Sequence, residues 1–300
     1  MKAMSWEKLD ARLSLGDGQG HLEDYRAFLQ VTRSNIARQG NQAVGPLPNY
    51  RRRFNFLSRV ERHVALTCAW LGALDVREQF PLWPWPHAHP LSDWPHATVG
   101  ANQAPGLLDI AREAQIDHGF WVGSRVPYVA TLDLMLTVGT LEAPRLAGIA
   151  CKPKELLTLG EKSERRLARL ELERRYCQAV GATHVIVDRR NVPQTLAANL
   201  ESLAPDAGLL ARTSAHGSYE RLCDLLITRL QAGESIRAAV FAAVAGASCF
   251  DGDGWDAFRL LAWTQAIDID LSRPIHHTQP VTPGGRALRA AMRRQLFGDA

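Results

Sequence analysis

The fold of this 300-residue chain is decided by two apolar stretches, VATLDLMLTV at 129–138 and LAGIACK at 146–152. Both are apolar and the first is also rich in strand-forming residues, so each predicts a buried β-strand. Asp133 is the lone charge of the first stretch. Pro153 follows Lys152 at the end of the second, and proline cannot continue a ladder of backbone hydrogen bonds. The second strand should therefore end with Lys152 at the rim of the sheet.

Asp133 and Lys152 allow two interpretations. A buried carboxylate without a partner is costly, so Asp133 needs a counter-charge or a metal ion. The two side chains could form a structural ion pair, as ionisable groups inside sheets often do. They could equally form a catalytic pair, because metal-dependent phosphodiester cleavage uses a carboxylate beside an ammonium group. Their spacing does not decide between these roles.

A third ionisable residue, Glu61, lies on a helix predicted over 58–74. Apolar residues recur along this helix at helical intervals, at Val60, Val64, Cys68 and Leu71. Glu61 borders that apolar stripe and could face the same edge of the sheet. The run SRVE at 58–61 also fits a capping box, in which the glutamate bonds back to the start of the helix. The residues alone leave both roles open.

Three blocks of sequence carry a resemblance to a known family. They are SRVE at 58–61 with REQFP at 77–81, TLD at 131–133 with CKP at 151–153, and LELERRY at 170–176. In this order, across roughly Arg53 to Leu203, they resemble TnsA, the endonuclease subunit of heteromeric transposases. The resemblance implies an α/β restriction-endonuclease-like catalytic domain over 1–188. A mostly α, winged-helix-like domain would follow over 189–300.

The resemblance also implies a catalytic site. Glu61, Asp133 and Lys152 match the family's catalytic glutamate, aspartate and lysine, and the backbone carbonyl of Cys151 would complete a magnesium shell. Manganese is expected to substitute for magnesium, and Glu173 matches a further acidic position of the family. Magnesium prefers oxygen ligands and keeps several waters, so two carboxylates and a carbonyl suffice when phosphate supplies the rest. Lys152 would orient the attacking water or neutralise charge in the transition state.

Two positions complicate this assignment. The usual nuclease pattern has an acidic or amide residue two positions before the lysine, and Ala150 stands there. Either Glu61 supplies the missing carboxylate from its helix, or this chain binds metal weakly. Glu78 also matches the family, but we interpret it as an exposed residue of a strand predicted over 76–82.

The resemblance implies cleavage near the 5′ ends of a transposon, leaving a 3′ hydroxyl and a 5′ phosphate. A TnsB-type transposase would process the 3′ ends, and a TnsC-type ATPase regulator would engage the carboxy-terminal domain. The chain would act in the bacterial cytoplasm, at the nucleoid. The alternatives are a catalytically inactive adaptor between transposase and regulator, and a stand-alone restriction or repair nuclease.

The net charge of +4 is only mildly basic, so contacts with DNA must come from local patches. Arg51, Arg52 and Arg53 precede the Glu61 helix, and further arginines, including Arg174 and Arg175, lie on the predicted helix around Leu170. Both groups are candidates for phosphate contact. The second group could instead belong to a solvated helix face that carries Glu161, Glu164 and Glu171.

Several patterns narrow the class of protein. The five cysteines are scattered and odd in number, which is typical of reduced residues in a cytoplasmic protein. The amino terminus has no apolar signal core, and the longest apolar run, 238–250, is too short to span a bilayer. We interpret 16–20 as a flexible loop and 251–254 as a turn. The Trp-, His- and Pro-rich segment 81–105 is interpreted as an aromatic loop that faces substrate.

The carboxy-terminal part has a helical pattern, with helices predicted over 192–203, 219–230, 235–245 and 255–266. A short strand predicted at 267–271 follows, and this order suggests a winged helix. Its candidate recognition helix offers only Arg259 and Gln265 on a largely apolar face, which favours contact with a protein over reading of DNA. The arginines of the last predicted helix, 286–297, suit either phosphate or a partner.

Overall fold

The computed structural model describes residues 4–31, 42–96, 103–152, 161–206 and 217–298. Within them the chain divides into two compact units. The first contains the described parts of Met1–Pro46, Arg52–Asn191 and Leu296–Gly298, and the second contains those of Leu47–Arg51 and Val192–Gln295. The first unit is mixed α/β and the second is helical. At this level the predicted order, an α/β part followed by a mostly α part, is confirmed.

The first unit contains short and long strands together with helices. Its strands are β1 (Ala43–Gly45), β2 (Phe54–Phe56), β3 (Asp75–Leu82), β4 (His87–Ala88), β5 (Gln103–Ala104), β6 (Ala130–Gly139), β7 (Pro144–Cys151) and β8 (Thr183–Val187). Its helices are α1 (Trp6–Ser14), α2 (Arg59–Trp70), α3 (Leu107–Ala114) and α4 (Glu161–Ala179). Helix α2 is shorter than predicted because the chain turns at Gly72, whose φ is 89°.

The described strands form a central sheet in the order β3-β6-β7-β8. Strands β3, β6 and β7 are antiparallel neighbours, and β8 joins β7 in parallel. A parallel neighbour requires a crossover connection, and α4 lies in that connection. The pairs β1–β2 and β4–β5 form separate two-stranded ribbons.

Helix α4 packs closely on β7, and Gly148 makes this approach possible. A Cβ atom at Gly148 would lie 2.6 Å from Sγ of Cys177 on α4 and 2.9 Å from the side chain of Leu132. Leu170 and Tyr176 of α4 belong to the same buried cluster as Leu132. The helix that carries Glu173 is thus fixed against β7, the strand that directly precedes Lys152.

The segment 16–20 is a loop, as predicted, and its Asp17 side chain is anchored in the fold. Asp17 is buried and forms ion pairs with Arg12 at 2.9 Å and Arg26 at 2.5 Å. These two pairs tie the segment to α1 and to the chain that follows it.

The second unit is built from helices: α5 (Gln194–Leu203), α6 (Gly217–Gln231), α7 (Ile236–Ala247), α8 (Asp251–Thr264) and α9 (Gly285–Phe297). The turn predicted at 251–254 is wrong, because these residues form the first turn of α8. The carboxylate of Asp253 accepts the backbone N–H of Phe250 at 3.0 Å and so caps the helix. Gly254 lets α8 approach α7, since a Cβ there would lie 2.5 Å from Val244.

The strand predicted at 267–271 does not form, and the described residues of this unit contain no strand. The backbone of Ile269 instead bonds to the side chain of Gln265 through both its carbonyl, at 3.1 Å, and its N–H, at 3.4 Å. The carboxylate of Asp268 accepts the N–H groups of Gly284 and Arg286, which caps the start of α9. A side chain therefore occupies both backbone groups of Ile269, and the N–H of Asp270 donates to the carbonyl of Thr282 at 2.8 Å without a strand ladder forming.

Candidate active site

Asp133 and Lys152 meet where β6 and β7 stop pairing. The register runs from Gly139↔Pro144 to Leu134↔Ile149. Beyond it, Oδ2 of Asp133 accepts the backbone N–H of Cys151 at 2.7 Å and Nζ of Lys152 at 2.5 Å. The N–H of Lys152 donates to the carbonyl of Val187 at 2.9 Å, so β8 still holds the end of β7. The end of the β6–β7 ladder thus places a carboxylate and an ammonium group at one edge.

Glu61 is 6% exposed and lies in the first turn of α2. Oγ of Ser58 accepts its backbone N–H at 3.2 Å, which confirms Ser58 as the helix cap. The Glu61 carboxylate accepts the Ser58 hydroxyl at 3.0 Å through Oε1 and the N–H of Leu57 at 2.8 Å through Oε2. The capping role is therefore real, but it uses only part of the carboxylate.

Gln79 is a further residue of this site, and the sequence reasoning missed it. Its Nε2 donates to Oε2 of Glu61 at 3.0 Å, and its Oε1 accepts the hydroxyl of Thr131 at 3.2 Å. The residue is 1% exposed and has a φ of 49°. A signal was present in the sequence, because Gln79 lies inside the strand predicted over 76–82 and inside the block REQFP that carries the resemblance.

Burial and neighbouring charges shift the pKa values of this edge. Burial and the charge of Asp133 raise the pKa of Glu61 to about 7, although hydrogen bonds from Leu57 and Ser58 act in the opposite direction. Burial lowers the pKa of Lys152, but the attraction of Asp133 and Glu173 outweighs it and the pKa lies above its usual value. Lys152 is therefore charged at neutral pH. Arg169 also feels the charge of Asp133, so Lys152 is not the sole cation near these carboxylates.

A cavity of about 310 Å³ opens beside this edge. Asp133, Lys152 and Gln79 line one part of it, and Tyr128, Arg169 and Glu173 line another. Glu61 is not among the lining residues, but Leu57 and Gln79, which both bond to its carboxylate, are. Glu61 thus lies directly behind the wall of the cavity.

Glu173 is brought to the same cavity from α4. It is 1% exposed, and neither of its carboxylate oxygens is hydrogen-bonded within the described part of the chain. The guanidinium of Arg169 lies 3.6 Å away through Nε, and Nε2 of the His184 ring lies 3.9 Å away. A buried carboxylate in this state is costly, which makes Glu173 a candidate acceptor for a donor or cation in the cavity.

Arg52 and Glu78 form a structural pair and do not have their predicted roles. Nη1 of Arg52 donates to both carboxylate oxygens of Glu78, at 3.1 and 2.9 Å, and the guanidinium stacks over Phe54 at 3.6 Å. The Glu78 side chain is fully buried, so its interpretation as an exposed residue is wrong. Arg52, predicted to contact phosphate, is 9% exposed and is used inside the fold. Arg51 and Arg53 are exposed.

Arg174 and Arg175 lie on the surface of α4 and pair with Glu171, at 2.8 and 2.7 Å. Hydrogen bonds from Arg174 and then Arg175 lower the pKa of Glu171 to about 2. This arrangement is the solvated helix face considered above. Exposed pairs of this kind contribute little and exchange readily, so contact with phosphate stays a prediction.

Several rings of the segment 81–105 pack inward. Trp83 and Trp94 are buried, and Nε1 of Trp94 donates to the carbonyl of Leu141 at 2.9 Å. His87 stacks on Tyr176 and bonds to its hydroxyl at 2.8 Å. Trp83 and His87 also line a separate cavity of about 300 Å³, so the interpretation of this segment as a substrate-facing aromatic loop stays a prediction.

In the part of the chain that the structure describes, no cluster of three or more His, Cys, Asp or Glu side chains could hold a metal ion. All five cysteines are unpaired. None of the described helices combines the length and apolar character needed to cross a membrane. A scan against protein-family models and a search of curated proteins both found no match.

Proposed function

We propose that this chain is a magnesium-dependent DNA endonuclease subunit with a restriction-endonuclease-like catalytic domain, similar to TnsA, that cleaves near the 5′ ends of a transposon. One observation carries the proposal: Glu61, Asp133 and Lys152 come from separate parts of the chain and converge at one edge of the sheet, beside a cavity. They are the three residues that the resemblance assigns to catalysis. The proposed location is the bacterial cytoplasm, at the nucleoid.

The donor set suits magnesium. Oδ2 of Asp133 is used by Lys152 and Cys151, while no described residue donates to Oδ1. Asp133 and Glu61 repel each other, as the raised pKa of Glu61 indicates, and a divalent cation between them would relieve this repulsion. Asp133, Glu61 and the Cys151 carbonyl would hold the ion, which leaves most of its coordination sites to water and phosphate.

The residues of the chain would divide the remaining work. A bound magnesium ion would polarise the scissile phosphate and lower the pKa of a bound water. Lys152 is protonated, so it would neutralise charge that develops on the phosphate and would not act as a general base. Arg166 and Arg169 line the same cavity and would contact the DNA backbone there.

The helical unit is proposed to bind protein partners. Arg259 on α8 bonds to Asp256 and to the carbonyl of Ala204, and Gln265 is buried. The two polar residues of the candidate recognition helix are therefore used within this unit, which argues against base reading by α8. We propose that this unit binds a TnsC-type ATPase regulator, and that a TnsB-type transposase processes the 3′ ends.

The adaptor alternative keeps one specific argument. Ala150 is fully buried and supplies no metal ligand, and the described residues hold no cluster of three ligating side chains.

To test the proposal, the purified chain is incubated with duplex transposon-end DNA and magnesium, with and without the partner transposase. Cleavage that needs the transposase supports a subunit, and cleavage of unrelated DNA without it supports a stand-alone nuclease. A stable complex with the transposase that never cuts supports the adaptor.

A further inference from the structure

We infer that Gln79 is a positioning residue, whose side-chain amide fixes the carboxylate of Glu61 next to Asp133 at the expense of an unfavourable backbone conformation. This inference rests on the proposed function, because it assigns Gln79 to the same site. Gln79 would touch neither the scissile phosphate nor the water, and it would act through Glu61.

The backbone of Gln79 is unusual for its place. Strand β3 pairs with β6 on both sides of it, at Glu78↔Leu134 and Phe80↔Leu132, so the register places Gln79 opposite Asp133. The pairing is interrupted at Gln79, whose φ of 49° lies in the left-handed region. Such a conformation inside a strand is strained for any residue with a side chain. The β6–β7 ladder also ends beside Asp133, so both neighbouring ladders open at this residue.

Glycine would adopt this conformation without strain, so the glutamine side chain must offer something that glycine lacks. Both ends of its amide are used. Nε2 donates to Glu61 on α2, and Oε1 accepts the hydroxyl of Thr131, two residues before Asp133 on β6. The amide therefore connects the helix that carries one carboxylate to the strand that carries the other.

Two other glutamines also have a left-handed backbone conformation, so this conformation alone does not indicate a functional role. Gln115 has a φ of 54° and ends α3, and Gln265 has a φ of 60° and ends α8. The end of a helix is an ordinary place for this conformation. Gln79 differs because it lies within a strand, is buried and bonds to a candidate metal ligand. Gln115 is exposed, which makes it a matched control.

Without the amide, Oε2 of Glu61 would keep only the N–H of Leu57. The carboxylate would then lose its connection to β6 and its fixed separation from Asp133. We expect weaker use of magnesium by an otherwise folded protein, since the donors would have to be ordered by the ion itself.

The test combines melting of the metal-free protein with nicking. Gln79→Gly is made in the wild type and in Glu61→Ala, and Gln115→Gly serves as control. In the Glu61→Ala background, Gln79→Gly should raise the melting temperature more than in the wild type, because strain is relieved and no bond to Glu61 is lost. In the wild-type background, Gln79→Gly should cut at least about tenfold more slowly at limiting magnesium, whereas Gln115→Gly should cut normally.

Equal melting shifts in both backgrounds would overturn the inference, as would normal nicking and magnesium dependence in Gln79→Gly. If Gln79→Gly proves unstable, Gln79→Met keeps most of the volume without the amide, and normal nicking by its folded fraction would also overturn it. If the wild-type chain does not cut at all, the proposed function fails. The melting experiment then still reports whether Gln79 holds Glu61.

Discussion

Glu78 lies on β3, and Glu61 bonds to Gln79 of the same strand. Both carboxylates are buried, but the charges around them differ. Glu78 has a full counter-charge, since Arg52 donates to both of its oxygens and the N–H of Asn55 adds a further bond at 3.0 Å. Glu61 is held by the neutral groups of Leu57, Ser58 and Gln79. Burial raises the pKa of both, but the charge of Arg52 opposes this at Glu78 and that of Asp133 adds to it at Glu61.

This difference separates a structural site from a candidate reactive one. The Glu78 pair is complete, so a cation added there would find no unbalanced charge. At Glu61 no cation donates to the carboxylate, the charge of Asp133 adds to the effect of burial, and the edge opens onto a cavity. A divalent cation or a proton would relieve this unfavourable interaction between the two carboxylates.

Asp133→Ala and Lys152→Ala should each abolish cleavage while the fold remains nearly intact. Lys152 follows the end of β7 and its side chain is 29% exposed, while Asp133 lies inside β6 but borders the cavity, so removal of either side chain leaves no large void in the core. Cleavage rates per folded molecule, with circular dichroism and thermal melts, check this. Early unfolding of Lys152→Ala, together with normal cleavage by its folded fraction, would identify the pair as structural.

Glu78→Ala should show the opposite behaviour. It leaves the guanidinium of Arg52 buried without its partner, which should lower the free energy of unfolding by about 3–5 kcal/mol. Cleavage by the molecules that remain folded should be unchanged. Denaturant unfolding measures the first quantity and a nicking assay the second. A stable but inactive Glu78→Ala protein would show that Glu78 belongs to the reactive site and is not a structural residue.

The stability of the metal-free protein should depend on pH through Glu61. Its pKa rises from 4.5 in the unfolded chain to about 7 in the folded protein, so the folded state binds the proton more tightly. The stabilisation is fully present below pH 4.5 and is lost as pH rises through 7, by on the order of 3 kcal/mol. Denaturant unfolding from pH 4.5 to 8 should show this fall in wild type and a flatter profile in Glu61→Gln. Identical profiles would show that Glu61 is not the group responsible.

Ala150→Glu should bring no gain in activity. If Glu61 supplies the carboxylate that is missing at this position, a glutamate here crowds another anion into the same region and raises the pKa of one of them. Ala150 is also fully buried, so the longer side chain should destabilise the fold. Nicking rates against magnesium concentration test this. A large gain over an inactive wild type would favour the adaptor.

The parts of the site that sequence predicts are those set by local chemistry. Apolar runs bounded by proline and glycine gave β6, β7 and β8, and Pro153 explained why Lys152 lies at a rim. Arg52 and Glu78 are far apart in sequence, so local sequence patterns could not show that they pair. The burial of the Glu78 side chain could therefore not be inferred. The alternation at 267–271 resembles a strand, but the side chain of Gln265 occupies both backbone groups of Ile269, and the carboxylate of Asp268 caps the start of α9. Likewise, the contact of Gln79 with Glu61 depends on the left-handed backbone of Gln79, which the spacing of residues in the sequence does not predict.

The most direct test of the central claim is the rate of strand cleavage against magnesium concentration, on end-labelled duplex DNA that carries a transposon end, with the partner transposase present. Wild type, Asp133→Ala and Glu78→Gln are compared. We expect a magnesium-dependent cut with a 3′ hydroxyl and a 5′ phosphate in wild type and in folded Glu78→Gln, and no cut in Asp133→Ala. Cleavage by wild type no faster than by Asp133→Ala at any magnesium concentration would contradict the proposal of a nuclease site at Asp133.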